Sequence, residues 1–310
     1  MSVIGYIYTG TGYQYVGVGK KVYDSTWAMR QFYDKVEKKY PDFKINKLSF
    51  LGPKEELMKE ENGIIVMAAY QSGIFEVLKQ QKINPEQISG FKSGELVAYC
   101  NSGGMVFEDL IYLLFKKIEF LKNEISKENF IHLLVNSVAV EKIEQVVSEL
   151  KKQIIIEIIS YNAKDSAIII CERKIKEKIT DIFKKLNGTV LELPNEEFSN
   201  FSILKPVAEK LKKEFMNIKT DKPIHRLISQ TTGTYYDTPV DIKEKIFDYI
   251  FKPLRLDLII TTMLKNAVNT FVEIGCGTFI GRYVRKADSG KRTLNTHDLA
   301  GLSTTVKLAN

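Results

Sequence analysis

Ile88-Ser89-Gly90-Phe91-Lys92-Ser93-Gly94-Glu95-Leu96 has the outline of a strand, a sharp turn and a helix, with lysine at the apex. In a nucleophile elbow the turn thrusts one side chain outward while the backbone closes up behind it. Small residues are therefore needed two positions before and two after the apex. Gly90 and Gly94 meet that demand around Lys92. The hydrophobic run Gly63 to Ala69, the turn signal Asn84-Pro85 and the apolar-periodic stretch after Gly94 are expected to supply the flanking strand and helices. The scaffold of a nucleophilic site is thus expected, but with an amine at its centre.

Working outward, Ser2 to Tyr8 reads as a buried strand that runs into the glycine-punctuated turn Thr9-Gly10-Thr11-Gly12-Tyr13-Gln14. Helices are expected from about Asp24 to Lys39, Pro53 to Glu60, Ala68 to Gln80 and Phe107 to Asn123. Such alternation implies a mainly parallel sheet with ligands at the carboxyl ends of its strands. From Asn129 to Pro194 the pattern changes to strand, helix, strand, strand, helix, strand, the ferredoxin-like βαββαβ order. After Pro206 a helix returns, then strands Ile224 to Gln230 and Thr270 to Ile274, and a polar tail in which Thr293 to Leu302 adds a final strand and short helix. The expectation is an α/β chain with one large domain, 1–128 and 195–310, interrupted by a small subdomain, 129–194.

With 310 residues and 44% hydrophobic content, the chain is long enough to bury a full core. Its net charge of +7 is spread through helices rather than gathered in a block, which reads as a solvated surface. No aromatic-and-basic motif of the RNA-binding type is present, so nucleic acid ranks last among partners. Cys100, Cys171 and Cys276 lie far apart in or beside apolar segments, which suits reduced core thiols and a cytoplasmic protein rather than disulfides or a metal site. No apolar window approaches the length of a membrane span, and neither a leader nor an anchor is expected. No cofactor is called for.

The ordered motifs resemble those of the malonyl-CoA:acyl-carrier-protein transacylases, including the free-standing acyltransferases that serve polyketide synthases. Tyr8-Thr9-Gly10-Thr11-Gly12-Tyr13-Gln14 is similar to the family's opening block, Pro85 to Leu96 to its elbow block, and Met105-Val106-Phe107-Glu108-Asp109 to the start of its next helix. Tyr161-Asn162, Ser229-Gln230-Thr231-Thr232-Gly233 and Phe271 to Gly277 match further blocks. The resemblance spans nearly the whole chain and implies a hydrolase-like large domain, an inserted ferredoxin-like subdomain, and work in fatty acid or polyketide biosynthesis with an acyl carrier protein.

The departures fall on the chemistry. The family's serine attacks an acyl-CoA thioester while a histidine from a later segment takes its proton. Here the resemblance sets Lys92 at the nucleophile position and Asn200 at the general-base position, with Ser199 the alternative after a one-residue slip. The three histidines, His132, His225 and His297, fall in other blocks. Among substrate-binding positions, the resemblance sets Thr11 at the family's oxyanion-region glutamine, Lys117 at its malonyl-binding arginine and Gln230 at an asparagine. The Thr11 and Ser93 N–H groups are expected to point into the oxyanion hole, and lysine in place of arginine keeps the charge but loses the bidentate fork.

An acylated Lys92 would be an amide too stable to turn over, so the lysine is expected to bind an anion or to fill the pocket. Ser93 is expected to point toward packing and to cap the following helix. His225 and Cys276 read as structural.

Three functions follow from these residues. The first is a degenerate acyltransferase, or pseudoenzyme, that acts by binding a carrier protein, a polyketide synthase or an acyltransferase partner. The second is an active transacylase or acyl-thioester hydrolase using Ser93 or a Lys92-activated water. The third is a non-catalytic binder of a coenzyme A thioester through Lys92 and Lys117.

Overall fold

The computed structural model describes residues 2–122, 124, 127–193 and 197–309. The chain opens with β1 (Ile4–Tyr8), α1 (Lys20–Ser25), α2 (Trp27–Lys39), α3 (Ile45–Leu51), α4 (Lys54–Met58) and α5 (Glu60–Gln80). β2 (Gln87–Gly90), α6 (Gly94–Asn101) and α7 (Phe107–Lys122) come next. Then follow β3 (Phe130–Asn136), α8 (Val140–Leu150), β4 (Ile156–Ala163), β5 (Ser166–Glu172), α9 (Lys176–Lys185) and β6 (Thr189–Glu192). The remainder comprises α10 (Lys205–Met216), β7 (Arg226–Leu227), α11 (Pro239–Lys245), β8 (Leu254–Arg255), α12 (Leu256–Lys265), β9 (Thr270–Ile274), α13 (Ile280–Ala287), β10 (Arg292–Asn295) and α14 (Leu299–Ala309).

Two sheets organise these elements. The first runs β10-β9-β1-β2-β7 with every pairing parallel. Its central strands β1 and β9 are buried along their whole length, as parallel strands covered on both faces are, although β9 carries Thr270 and Glu273 among its apolar residues. The second runs β6-β3-β5-β4-β8, antiparallel except where β8 joins β4 in parallel. The strands within 130–192 thus adopt the expected ferredoxin-like order, and a fifth strand reaches them from Leu254–Arg255. No helix among the described residues is long and apolar enough to cross a membrane. Cys100, Cys171 and Cys276 are buried, free thiols.

Local differences from the sequence reading have physical causes. The run Gly63 to Ala69 lies inside α5, a helix of 21 residues buried on nearly all sides, so its apolar face has no stripe and its period is hidden. The helix expected from Asp24 is split at Thr26, whose extended backbone (φ −132°) ends α1 and whose hydroxyl accepts from the Met29 N–H to start α2. The strand expected over Ile224 to Gln230 narrows to Arg226–Leu227, because the chain turns back at Ser229 to Gly233. Asn123, Pro194 and Asn195, where the sequence reading set a helix end and a domain boundary, lie outside the described residues.

Candidate functional site

The elbow forms as its glycines require. Lys92 takes the left-handed conformation (φ 57°), which a non-glycine residue adopts only under constraint. A Cβ on Gly90 would meet the Glu95 nitrogen at 2.1 Å, and one on Gly94 would meet the Tyr8 carbonyl at 2.7 Å. The turn is held from both sides by one side chain: the Lys92 N–H donates to Gln230 Oε1 at 2.7 Å, and Gln230 Nε2 donates to the Lys92 carbonyl at 2.7 Å. Gln230 is fixed in turn by Glu95, which accepts from its backbone N–H (2.9 Å) and from Nε2 (2.8 Å), and also from the Tyr236 hydroxyl. Burial pushes the Glu95 carboxyl up to about 8 despite these donors. From α5, Gln71 Nε2 donates to the Thr9 and Ile274 carbonyls and so ties the ends of β1 and β9 together beside the turn.

The apex side chain is buried, not presented. Lys92 is 1% exposed, and its Nζ donates to the Glu197 backbone carbonyl at 2.8 Å. The Glu197 carboxylate, itself wholly buried, receives the Ser93 N–H at 3.2 Å, the Ser93 hydroxyl and the Lys117 ammonium. Lys117 also reaches Ser93 Oγ at 3.4 Å and lies 3.9 Å from Glu60. Burial alone would raise the Glu197 carboxyl, but Lys117 and then Lys92 more than offset it and hold the group below its ordinary range. The centre of the site is therefore an ionised Glu197 between two buried lysines.

Several expectations are revised by this geometry. Ser93 makes no side-chain cap on α6; its hydroxyl is committed to Glu197. Its N–H, expected to face an oxyanion, likewise donates to Glu197. Lys117, cast as a contact for a ligand anion, meets the Glu197 carboxylate, whereas Lys92, expected to bind an anion or to fill the pocket, lies buried against the Glu197 backbone carbonyl. Asn200 also takes a left-handed backbone (φ 61°), but its Nδ2 donates to the Lys252 carbonyl at 2.9 Å and its Oδ1 accepts from Ser199. Thr11 is buried in the loop after β1, its hydroxyl without a hydrogen-bond partner among the described residues. Cys276 packs against Met67, and His225 lies edge-on to Phe75.

Two site residues escaped the sequence reading. Glu197 had a usable signal: two lysines set in one buried pocket demand a counter-charge, and Glu197 lies three positions before Asn200. His132 had none, because it arrives from β3 in the other sheet. Its ring stands edge-on to Phe198, its Nε2 has no hydrogen-bond partner among the described residues, and burial together with Lys92 keeps it neutral.

No family model matches the chain. The malonyl CoA-acyl carrier protein transacylase of Bacillus subtilis (strain 168) is 26% identical over 304 residues, covering 96% of this chain and 94% of that protein. A crystal structure of the malonyl CoA-acyl carrier protein transacylase of Clostridium perfringens is 26% identical, with a TM-score of 0.90 over 99% of this chain and 96% of the other. A type II polyketide synthase acyl-carrier protein in complex with its malonyl-transacylase shares the fold, with a TM-score of 0.91 at 19% identity and 99% coverage of both chains. Over nearly its whole length, this chain is similar in sequence and fold to the malonyl CoA-acyl carrier protein transacylases.

Proposed function

We propose that the protein belongs to the acyltransferases of fatty acid or polyketide biosynthesis but does not work as a Ser-His transferase, and that it acts by binding an acyl carrier protein, a synthase or an acyltransferase partner. The observation that carries this reading is the buried Lys92 at the elbow apex, its ammonium held by the Glu197 carbonyl. A reacting amine would end as an amide, and the amide of Asn200 has no basic nitrogen with which to take a proton. In this reading 1–128 and 195–310 form the acyltransferase domain and 129–194 its small subdomain. Support for the carrier protein comes from the name of the Bacillus subtilis relative and from the solved transacylase complex.

The test is calorimetry with apo and holo acyl carrier protein, run beside a malonyl-CoA transfer assay. Saturable binding without transfer is expected. Steady transfer by the wild-type protein would overturn the inactive reading, and no heat with either carrier form would remove the carrier protein as partner.

One observation favours a second reading, an active thioesterase or transacylase: the Ser93 hydroxyl donates to Glu197, as a nucleophile donates to its base. Against it, the two lysines lower the basicity of Glu197, and both Ser93 and Glu197 are buried. This reading requires thioester loss that vanishes in Ser93→Ala and in Glu197→Gln. Unchanged turnover in both variants would end it.

A further inference from the structure

Three donors converge on the Glu197 carboxylate. The Ser93 N–H reaches both carboxylate oxygens, at 3.2 and 3.4 Å, and the Ser93 hydroxyl and the Lys117 ammonium converge on Oε1. A Cβ on Gly10 would lie 3.4 Å from Oε2, so the loop after β1 closes the other side. These donors belong to the elbow and to α7, whereas Glu197 belongs to the connection between β6 and α10. The binding groups are part of the framework, and their occupant is part of a connecting segment.

Charge makes the arrangement strict. Lys117 is fully buried, and a buried ammonium without a counter-charge is strongly disfavoured. If the Glu197 carboxylate were removed, the buried Lys117 ammonium and the two Ser93 donors would lose the acceptor they share, and Glu60 would stand 3.9 Å from Lys117. Such a vacancy attracts an anion. A planar carboxylate reproduces the two-oxygen contact to Ser93, and a spherical halide does not.

We propose that Ser93 and Lys117 form a carboxylate-binding site whose built-in occupant is Glu197, so that a carboxylate-bearing ligand binds there only when the Glu197 side chain withdraws. The inference rests on the reading of this cleft as the acyl site of an inactive transferase, and it names the residue that fills that site.

The experiment is thermal unfolding of wild type, Glu197→Ala and Glu197→Ala/Lys117→Met in acetate, malonate or chloride at equal ionic strength. Glu197→Ala is expected to melt below wild type and to recover saturably in acetate and malonate but not in chloride. Wild type and the double variant are expected to show no carboxylate-specific shift. Equal responses of Glu197→Ala to all three salts, or equal recovery in the double variant, would overturn the proposal.

If Glu197→Ala is recovered only as aggregate, its refolding yield in acetate against chloride replaces the melt. A higher yield in acetate is expected, and equal failure in both overturns the proposal. An acyl adduct on the wild-type protein would instead sink the inactive-transferase reading and leave the carboxylate-specific shift of Glu197→Ala standing.

Discussion

Glu197 and Lys117 form an ion pair with side chains at most 1% exposed. Taking both charges out of water costs roughly what their attraction returns, but removing one partner leaves the other buried and uncompensated, at about 3–5 kcal/mol. Lys117→Met should therefore lose about that much stability by urea unfolding. Lys117→Met/Glu197→Leu should lose clearly less than the sum of the two single changes, since replacing a whole buried pair by apolar groups is often near neutral. Additive losses would show that the two side chains do not interact. At this scale the sequence was half legible. Family spacing led to Lys92, Lys117 and Gln230, all of which contact the elbow or Glu197, but Glu197 lies outside every quoted motif and His132 meets the site only through tertiary packing.

Among the elements, α6 and the turn after β7 are joined through Glu95 and Gln230, and that joint carries a pH signature. Burial raises the Glu95 carboxyl from its ordinary value of 4.5 to about 8. The folded state therefore holds the proton more tightly than the unfolded chain does. The stabilisation is full below pH 4.5 and is lost as pH rises to about 8. Glu273 on β9, raised by burial to about 7, behaves in the same way but is already half ionised at pH 7. Between pH 7 and 8 Glu95 therefore supplies the larger part of the decline, about 1 kcal/mol over that pH unit, and Glu273 a smaller one. Urea midpoints measured across this interval should fall for wild type and stay flatter for Glu95→Gln; parallel curves would mean that Glu95 is already ionised in the folded protein. None of this was visible in the chain, where Glu95 is one acidic residue in the first turn of a helix. Its burial follows from α6 lying between the sheet and α5 and α7.

For the whole molecule, the alternation of apolar strands with helices and the glycines at 90 and 94 made the fold readable, because each glycine answers a backbone approach that tolerates nothing larger. The second sheet was readable from its βαββαβ order, but its fifth strand was not: two residues, Leu254–Arg255, are too few to carry a period. The fold is therefore far more legible than the activity, since packing is written across many positions and the chemistry depends on a few.

Intact-protein mass after incubation with malonyl-CoA and acetyl-CoA, followed by hydroxylamine, tests the inactive-transferase account most directly, with an active transacylase as control. The account predicts no hydroxylamine-labile adduct, because the elbow presents no free hydroxyl or thiol and Glu197 fills the place beside it. A labile adduct would contradict it by showing that an ester-forming nucleophile is at work in this protein.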